Sequence, residues 1–447
     1  MAGGLMQLVA YGAQDVYLTG NPKVTFFQAV YKRHTNFALE VIQQTLNGTA
    51  GSSGRVSVTI ARNGDLIGDM YVELQTLAGI STRAGDLSVV DTCWVAERAI
   101  QDVELSIGGQ RIDKHYQLWW RLYSELYLNS DKKSNYAKLT SCAATASTDS
   151  RQVFLPLIFF FNRNPGLYLP LIALQYHEVR LDFDLSSYYS AYFNTTFNVW
   201  GNYVYLDTEE RRRFAQKGHE YLIDQVQHTG ADTVTSGGTS QVRLSYNHPV
   251  KELVWCYSSS QTANAAMWNF TSNAATSNAV VLDCKPSNYT GMANTCFLSS
   301  TVNGTGVPQI VNGNYLTTIG NKQASLCQWI EEAGATSSNC SIGPVSTFKL
   351  ILNGQDRFKE QSGKYFNQME PFMHHTGVPY PGIYSYSFAL KPEEHQPTGT
   401  CNFSRIDNAQ VSVILDACPT NTSQWMFAVN YNVLRIQSGM GGLAFSN

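Results

Sequence analysis

Apolar and polar residues alternate along much of the chain with the period of two that is typical of β-strands with one buried face. The pattern is clear in residues 179–185 (VRLDFDL). Residues 153–161 form a continuous apolar run, which is too short to span a bilayer and predicts a fully buried strand. The turn-forming residues 162–166 (NRNPG) end that run. A strand, a Pro/Gly loop, a short crossing and a second strand predict an antiparallel sandwich.

Two hairpins and one helix are predicted in the first half of the chain. Residues 55–74 contain alternating strands around Asn63-Gly64, which suits a type I′ turn. Residues 103–112 form a second hairpin around Gly108-Gly109. Residues 115–127 carry apolar residues at near-helical spacing, which predicts a helix after that hairpin.

The same order of features recurs in the second half. Residues 348–359 (FKLILNGQDRFK) parallel residues 103–114 (VELSIGGQRIDK), and aromatic pairs follow both, Trp119-Trp120 and Tyr365-Phe366. The hairpin at residues 242–257 parallels the first hairpin, and residues 384–415 parallel the segment 152–185. Several features that recur in one order indicate that a whole domain is duplicated.

This pattern predicts an all-β chain made of two consecutive sandwiches, and 447 residues suit two such domains. The acidic residues after Asp207 predict the start of a capped connecting helix, and arginines 211–213 are expected on its solvated face. The predicted organisation is an amino-terminal arm at 1–26, a first sandwich at 27–207, a connector at 208–222 and a second sandwich at 223–447, with a surface projection at 258–346.

The projection is rich in Ser, Thr, Asn, Ala and Gly. An insertion of this length is usually functional or disordered. Trp268, Phe297 and Trp329 favour an ordered projection. It also holds the cysteine pairs Cys284/Cys296 and Cys327/Cys340, for which disulfides are an alternative to free thiols.

Composition narrows the class of function. Charged residues make up 15% of the chain and aromatic residues 12%, and the formal net charge of −3 provides no basic footprint for nucleic acid. No segment has the length and purity of a transmembrane helix, and the amino terminus lacks the features of a signal peptide. We therefore expect a protein that is made in the cytosol and has no direct nucleic-acid partner.

Candidate chemistry is sparse. His374-His375 lacks a third metal ligand at a diagnostic spacing, and the carboxylates of Glu73 and Glu104 fit an outward strand face. Residues 439–442 (GMGG) resemble a phosphate loop without the helix or lysine that would follow it, and are expected to form a flexible tail. We predict no catalytic, cofactor or metal site, and a protein that is not an enzyme.

Five long motifs are distinctive. They are residues 3–38 (GGLMQLVAYGAQDVYLTGNPKVTFFQAVYKRHTNFA), 107–116 (IGGQRIDKHY), 156–179 (PLIFFFNRNPGLYLPLIALQYHEV), 399–409 (GTCNFSRIDNA) and 430–444 (NYNVLRIQSGMGGLA). Taken together, they resemble the major capsid proteins of nucleocytoplasmic large DNA viruses, in particular the algal chlorovirus members. Both halves and both termini carry the resemblance, which leaves mainly the projection unmatched.

The resemblance implies a double jelly roll, two consecutive eight-stranded antiparallel sandwiches with short helices in the loops and linker. It also implies a homotrimer that forms a pseudo-hexagonal capsomer and tiles an icosahedral shell beside neighbouring capsomers. The arm would contact minor capsid proteins under the shell. The expected location is the virion, after assembly in the host cytoplasm.

Covalent glycans are a further implication of the resemblance, because chlorovirus capsid proteins are glycosylated by virus-encoded enzymes. Asn294, in Ala293-Asn294-Thr295, partly fits the pattern of that family but lacks its later Thr. Ordinary Asn-x-Ser/Thr sites lie both inside and outside the projection. With Asn294, the candidates in the projection are Asn269, Asn288, Asn303 and Asn339; the sites elsewhere are Asn47, Asn194, Asn402 and Asn421.

Two alternatives stay open at the level of sequence. One is a minor capsomer or spike paralogue of the same fold. The other is a carbohydrate-binding jelly-roll protein, which would need aromatic platforms and convergent carboxylates in a cleft.

Overall fold

A computed structural model provides the structure of the chain. It describes residues 3–77, 94–140, 150–235, 237–258, 344–377, 382–415 and 423–445, together with residues 270, 281–283, 297–299 and 379. Residues 3–37 and the remainder of the chain form two compact units.

The amino-terminal unit contains two short helices, α1 (Gly3–Val9) and α2 (Val16–Thr19). Asp15 forms hydrogen bonds on both sides of the turn that separates the two helices. Its side chain accepts a hydrogen bond from the backbone N–H of Gly12 at 2.8 Å, and its carbonyl accepts one from the Thr19 hydroxyl at 2.8 Å. These local contacts set the geometry of the turn between the helices.

The first sandwich consists of two sheets. Sheet 1 has the strand order β1-β10-β4-β7, with β8 beside β4, and sheet 2 has the order β2-β3-β9-β5-β6. The strands are β1 (Phe37–Gln43), β2 (Leu46–Asn47), β3 (Arg55–Thr59), β4 (Leu66–Thr76), β5 (Ile100–Ile107), β6 (Gln110–Tyr116), β7 (Gln152–Pro156), β8 (Leu169–Pro170), β9 (Val179–Leu185) and β10 (Phe193–Leu206).

Short helices connect these strands, and one links the two sandwiches. They are α3 (Gln117–Tyr127), α4 (Ser130–Thr140), α5 (Phe160–Arg163), α6 (Tyr189–Tyr192) and the connecting helix α7 (Thr208–Gln216). Single 3₁₀ turns occur at Val95–Arg98, Pro165–Leu167 and Leu171–Ala173.

The second sandwich also consists of two sheets. Sheet 3 has the order β11-β23-β14-β20, with β12, β21 and β24 beside it, and sheet 4 has the order β13-β22-β17-β18, with β19 beside β17. Its strands are β11 (His219–Gln227), β12 (Ala231–Thr233), β13 (Thr239–Leu244), β14 (Pro249–Ser258), β17 (Val345–Leu352), β18 (Gln355–Asp356), β19 (Gln361–Ser362), β20 (Ile383–Ser387), β21 (Cys401–Asn402), β22 (Ala409–Leu415), β23 (Ser423–Gln437) and β24 (Met440–Leu443).

Between β14 and β17, two short strands pair with each other, β15 (Val281–Asp283) and β16 (Phe297–Ser299). A π-helical turn, Tyr365–Met369, runs into α8 (Glu370–His374), and a 3₁₀ turn lies at Phe403–Arg405. The helical segment 365–374 occupies the same place in the second half as α3 does in the first.

The duplication predicted from the sequence is visible in the strand order. Sheet 3 repeats sheet 1 strand for strand, because β11, β23, β14 and β20 take the places of β1, β10, β4 and β7. Sheet 4 likewise repeats the order of β3, β9, β5 and β6 in sheet 2. The predicted double jelly roll is confirmed, whereas the predicted domain boundaries stay a prediction.

Alternation along the strands builds the two cores. In the first, Val58, Val72 and Leu181 are fully buried between sheets 1 and 2. In the second, the indole of Trp255 stacks on Phe348 with ring centroids 4.4 Å apart. Such aromatic pairs contribute about 0.5–1.5 kcal/mol beyond the burial of their area.

Three sequence-based expectations were wrong in detail. The apolar run 153–161 leaves the strand after Pro156, because the Asn162 side chain accepts from the N–H of Phe159 at 3.2 Å and donates to the carbonyl of Gly68 at 2.8 Å. These bonds hold a short helix where a continuous strand was expected.

The other two corrections concern the tail and the predicted hairpins. Residues 440–443 form β24, paired with β23 through a tight turn at Ser438 and Gly439, both with positive φ, so this segment is no flexible tail. The predicted hairpins at 55–74 and 242–257 are also wrong, because the two strands of each lie in different sheets and do not pair with each other. β3 belongs to sheet 2 and β4 to sheet 1, and β13 belongs to sheet 4 and β14 to sheet 3.

Arginines 211–213 of α7 are exposed, as the sequence predicted. The guanidinium of Arg211 also lies 3.0 Å from the buried carboxylate of Asp65, which anchors the connector to the first sandwich.

The turn between β5 and β6 gives a test of this fold. Gly108 and Gly109 both have positive φ, but a Cβ on Gly108 would press on the His177 ring, whereas a Cβ on Gly109 would meet open space. Gly109→Ala should lower the free energy of unfolding by about 1–2 kcal/mol from backbone strain alone. Gly108→Ala should lower it further, because it also displaces His177 from the carbonyl of Gly441.

Guanidinium denaturation followed by tryptophan fluorescence would measure both losses of stability. Equal losses in Gly108→Ala and Gly109→Ala would contradict the close contact between the turn and His177.

Candidate assembly surfaces

Sheet 3 is the structural centre of the chain because both of its faces are covered. On one face, Leu253, Trp255 and Ala428 belong to the core of the second sandwich. On the other face, Val254 and Phe427 belong to the core cluster of the first sandwich. The two sandwiches therefore share this sheet as a packing surface.

Helix α3 provides much of the cover from the first sandwich. Trp119 packs against Phe427 with ring centroids 5.6 Å apart, and Tyr127 meets the His375 ring edge-on at 5.3 Å. The N–H of Gly377 donates to the carbonyl of Leu126 at 3.0 Å. A Cβ at position 377 would collide with backbone carbonyls of α3, so this crossing requires glycine.

A buried ionic cluster joins the sandwiches beside α3. The carboxylate of Asp224 on β11 lies 2.9 Å from Lys251 Nζ on β14 and 3.1 Å from Arg163 of the first sandwich. The Lys251 side chain is only 1% exposed. Burial by itself raises the pKa of Asp224, but Lys251 and Arg163 outweigh burial and hold that pKa below its usual value.

His375 forms a second ionic contact in the same interface. Its Nε2 lies 3.1 Å from the Glu252 carboxylate, and its Nδ1 lies 3.2 Å from Glu393. Burial disfavours the charged ring, but the two carboxylates outweigh burial and raise the pKa of His375 to about 9. The imidazolium is therefore the stable form at neutral pH.

Polar contacts complete the interface at its edges. The N–H of Val226 donates to Asp113 at 3.0 Å, and the side chain of Gln225 donates to the carbonyl of Ile112. At the β23–β24 hairpin, His177 Nδ1 lies 2.8 Å from the carbonyl of Gly441. These bonds fix the lateral position of one sandwich on the other.

A third buried network holds α3 to its own sandwich. Arg121 bonds to Glu125 at 2.6 Å, and its guanidinium lies 3.6 Å from the centre of the Trp94 ring. The Tyr136 hydroxyl donates to Glu97 at 2.6 Å. Burial raises the pKa of Glu97 to about 7, although the nearby Arg121 lowers it. This network supports the helix from the side opposite sheet 3.

The outer face of sheet 1, the counterpart of sheet 3, is half-exposed. Tyr71 pairs with Trp200 across β4 and β10, and its ring meets Phe154 edge-on at 5.7 Å. The Glu73 carboxylate accepts hydrogen bonds from the Trp200 indole at 2.6 Å and from Gln152 at 2.5 Å. The face is thus aromatic, and its carboxylate is already satisfied.

The helical segment 365–374 also presents apolar side chains to solvent. Met369 is 47% exposed, Phe372 83% and Met373 45%. Leu390, 73% exposed, lies beside them, since its carbonyl is 3.0 Å from His374 Nδ1. We call Met369, Phe372, Met373 and Leu390 the helical patch.

The glycosylation candidates of the projection lie outside the described residues and stay predictions. They are Asn269, Asn288, Asn294, Asn303 and Asn339. The cysteine pairs Cys284/Cys296 and Cys327/Cys340 also lie outside the described part of the chain.

Other candidate residues are in the described part of the chain. His374 and His375 bind carboxylates, of Glu370 at 3.7 Å and of Glu252, respectively. Within the residues that the structure describes, no cluster of three ligating side chains suits a metal ion, and no helix is long and apolar enough to span a membrane.

Sequence reasoning missed the ionic contacts at sheet 3. A signal was present, because Lys251-Glu252 places two charges inside an otherwise apolar strand of residues 249–258. Buried charges in such a run require partners. The partners themselves, Asp224, Arg163 and His375, are remote in sequence and could not be identified from it.

Comparisons with known proteins agree on one family. A family described as "Large eukaryotic DNA virus major capsid protein" matches residues 210–442, and one described as "Major capsid protein N-terminus" matches residues 25–207. The major capsid protein of Paramecium bursaria Chlorella virus 1 is 43% identical, and that of Phaeocystis pouchetii virus 39%, each over 100% of both chains. A chain in a quasi-atomic model of the PBCV-1 virus capsid is similar, with 39% identity and a TM-score of 0.73 over 95% of this chain and 100% of that one.

Removing the shared carboxylate should weaken the interface strongly. Asp224→Ala leaves Lys251 buried without its counter-ion and removes the partner of the more exposed Arg163, which should lower the free energy of unfolding by about 3–5 kcal/mol. The control is Asp356→Ala, since Asp356 binds Lys349 at 3.1 Å on the surface and should contribute at most about 1 kcal/mol. Guanidinium denaturation of both variants would measure the difference, and similar losses would show that the Asp224 cluster does not hold the sandwiches together.

The protonated His375 should make stability depend on pH. Its pKa is about 9 in the folded chain and about 6.5 in an unfolded chain. Its contribution is therefore fully present below pH 6.5 and is lost as the pH rises through 9. Thermal unfolding between pH 6 and 10 should show this loss in the wild type and a smaller one in His375→Gln. A wild-type profile in His375→Gln would exclude this role.

Proposed function

The chain belongs to the family of major capsid proteins of large eukaryotic DNA viruses, and from this premise we propose that it assembles as a homotrimeric, pseudo-hexagonal capsomer. The protein is a structural component of the capsid shell of the virion. The trimer is the part that we propose, and it concerns how copies of the chain combine in the shell.

The repeated strand order is the observation that carries this proposal. One chain contains two sandwiches of the same topology, so three chains around an axis bring together six similar units. A hexagonal outline lets capsomers pack edge to edge without gaps, which a shell of many copies requires. Most soluble homo-oligomers close by such cyclic symmetry.

The arm is the second element of the proposal. Residues 3–37 form a compact unit of their own, with short helices and apolar residues at helical spacing. A segment of this kind suits binding to another protein. We assign it the minor capsid proteins beneath the shell as partners.

A structural role without catalysis is supported by the state of the shifted ionisable groups. Glu97, Asp224 and His375 have clearly shifted pKa values, and all three are bound to protein partners in buried interfaces. Their shifts have a structural cause, since each group joins elements of the fold. Glycans on the projection are part of the proposal as decoration of the outer surface.

Native mass tests the trimer directly. Light scattering of the purified full chain should give three times the chain mass of 49.6 kDa, and electron microscopy of the same peak should show six-lobed rings. A variant without residues 1–26 should remain trimeric, with three times its own smaller chain mass, because the arm is assigned to contacts between layers. A stable monomer at high protein concentration would overturn the trimer, and binding of a glycan array by that monomer would favour the carbohydrate-binding alternative.

A further inference from the structure

Among the residues that the structure describes, the duplication leaves two surfaces uncovered. Their counterparts in the other sandwich cover each other within the chain. We propose that the helical patch of one copy docks on the outer face of sheet 1 of a second copy, and so forms the interface between subunits. This inference rests on the proposed trimer and assigns the surfaces that make it.

The helical patch corresponds to the part of α3 that lies on sheet 3. Trp120 and Phe366 mark equivalent positions, because each is fully buried in its own sandwich after the equivalent hairpin. Counted from them, Tyr123 and Tyr127 of α3 correspond to Met369 and Met373.

The two equivalent helical surfaces differ in their cover. Tyr123 and Tyr127 are partly buried and pack against the first core cluster, in which Val254 and Phe427 of sheet 3 take part. Met369 and Met373 are each nearly half exposed. The second sandwich thus carries an apolar helical surface at the place where the first sandwich carries its docking surface.

Leu390 extends this correspondence to a second loop. It precedes Lys391-Pro392 after β20, as Arg163 precedes Asn164-Pro165 after β7. Arg163 reaches across to Asp224 of the second sandwich, whereas Leu390 is 73% exposed. The helical segment and the loop after β20 therefore both present exposed apolar residues. In the first sandwich, the equivalent positions contact the second sandwich.

The acceptor surface corresponds as well. Sheet 1 repeats the strand order of sheet 3, and the face that the first sandwich covers on sheet 3 is half-exposed on sheet 1. That face presents Tyr71, Phe154 and Trp200, which offer aromatic surface to the patch. Methionine sulfur and aromatic rings attract each other, and the thioether adapts its shape to the partner.

Neither surface would bury an unpaired charge. Glu73 already accepts bonds from Trp200 and Gln152 on the sheet. Next to the patch, Lys391 is paired with Glu394 at 2.9 Å. The two surfaces are therefore compatible in charge as well as in apolar character.

Repetition of the internal contact explains why assembly stops at three chains. Within a chain, the first sandwich contacts the second. If the second sandwich of that chain contacts the first sandwich of the next chain in the same way, each chain contributes two of the six equal steps around the ring. Three chains then close the ring and leave neither surface uncovered. This is a head-to-tail interface, in which the two partners contribute different surfaces.

Cross-linking tests the pairing. Phe372→Cys and Tyr71→Cys are introduced together into the full chain and treated with a short bismaleimide. Because the two positions face each other on different copies, denaturing gels should show covalent dimers and trimers, and the ladder should end at three. Each single variant, which keeps the nine native cysteines, is the control for background and should give no ladder.

A charge placed in the patch gives an independent readout. Phe372→Asp should abolish the trimer peak in light scattering while the monomer keeps the circular dichroism of the wild type, because residue 372 is mostly exposed. Met440→Asp is the matched control, since Met440 is a half-exposed apolar residue on β24, outside both surfaces. This control should remain trimeric.

The outcomes separate the two proposals. A wild-type chain that is not trimeric overturns the proposed capsomer itself. A trimeric wild type whose double-cysteine variant cross-links no more than the single variants, or whose trimer survives Phe372→Asp, retains the capsomer and refutes this interface. Equal loss of the trimer in Met440→Asp also refutes it, because the effect would not depend on the patch.

Discussion

Burial of sheet 3 on both faces is the constraint on which the rest of the chain depends. A sheet that separates two cores needs apolar side chains in both directions, and β14 and β23 accordingly lose the alternation that the outer strands keep. Any polar group on this sheet must find a partner within the protein. Lys251, Glu252 and Asp224 do so. Lys251 and Asp224 bind each other within the sheet, and Arg163 and His375 supply further partners from outside it.

The ionic contacts define how the sandwiches meet more than they add to stability. Burying charges costs free energy that their attraction only partly offsets. An apolar contact would cost less, but it would allow one sandwich to slide along the other. Asp224 binds one cation from each sandwich, and the His375 ring, held by Glu252 and Glu393 of its own sandwich, meets Tyr127 of the first. The contacts that cross the interface are satisfied in one arrangement, so they fix the angle between the sandwiches. A ring of six units needs that angle to be uniform.

Sequence patterns predicted the fold well because the fold repeats local rules. Alternation in strands such as β9, the glycine turn after β5 and the helical spacing before Tyr127 each depend on residues close together in the chain. The same rules failed where a distant contact decides. The run 153–161 turns into a helix because Asn162 bonds to the distant Gly68. The ionic contacts at sheet 3 were beyond prediction for the same reason, since Arg163 and Asp224 are distant in sequence. Residues 440–443 are a different kind of error, because they form a local hairpin with β23 that the glycine-rich sequence concealed.

The two equivalent helices show how one architecture serves two kinds of contact. Within a chain, α3 and sheet 3 are tethered, so their effective concentration is high and the interface forms in every folded molecule. Rigid side chains, Trp119, Tyr123 and Tyr127, suit that permanent contact. In the proposed ring the helical patch meets a separate molecule, and the contact depends on protein concentration. Flexible Met369 and Met373 suit a surface that must remain soluble before it is covered, and this difference lets the fold be complete before assembly begins.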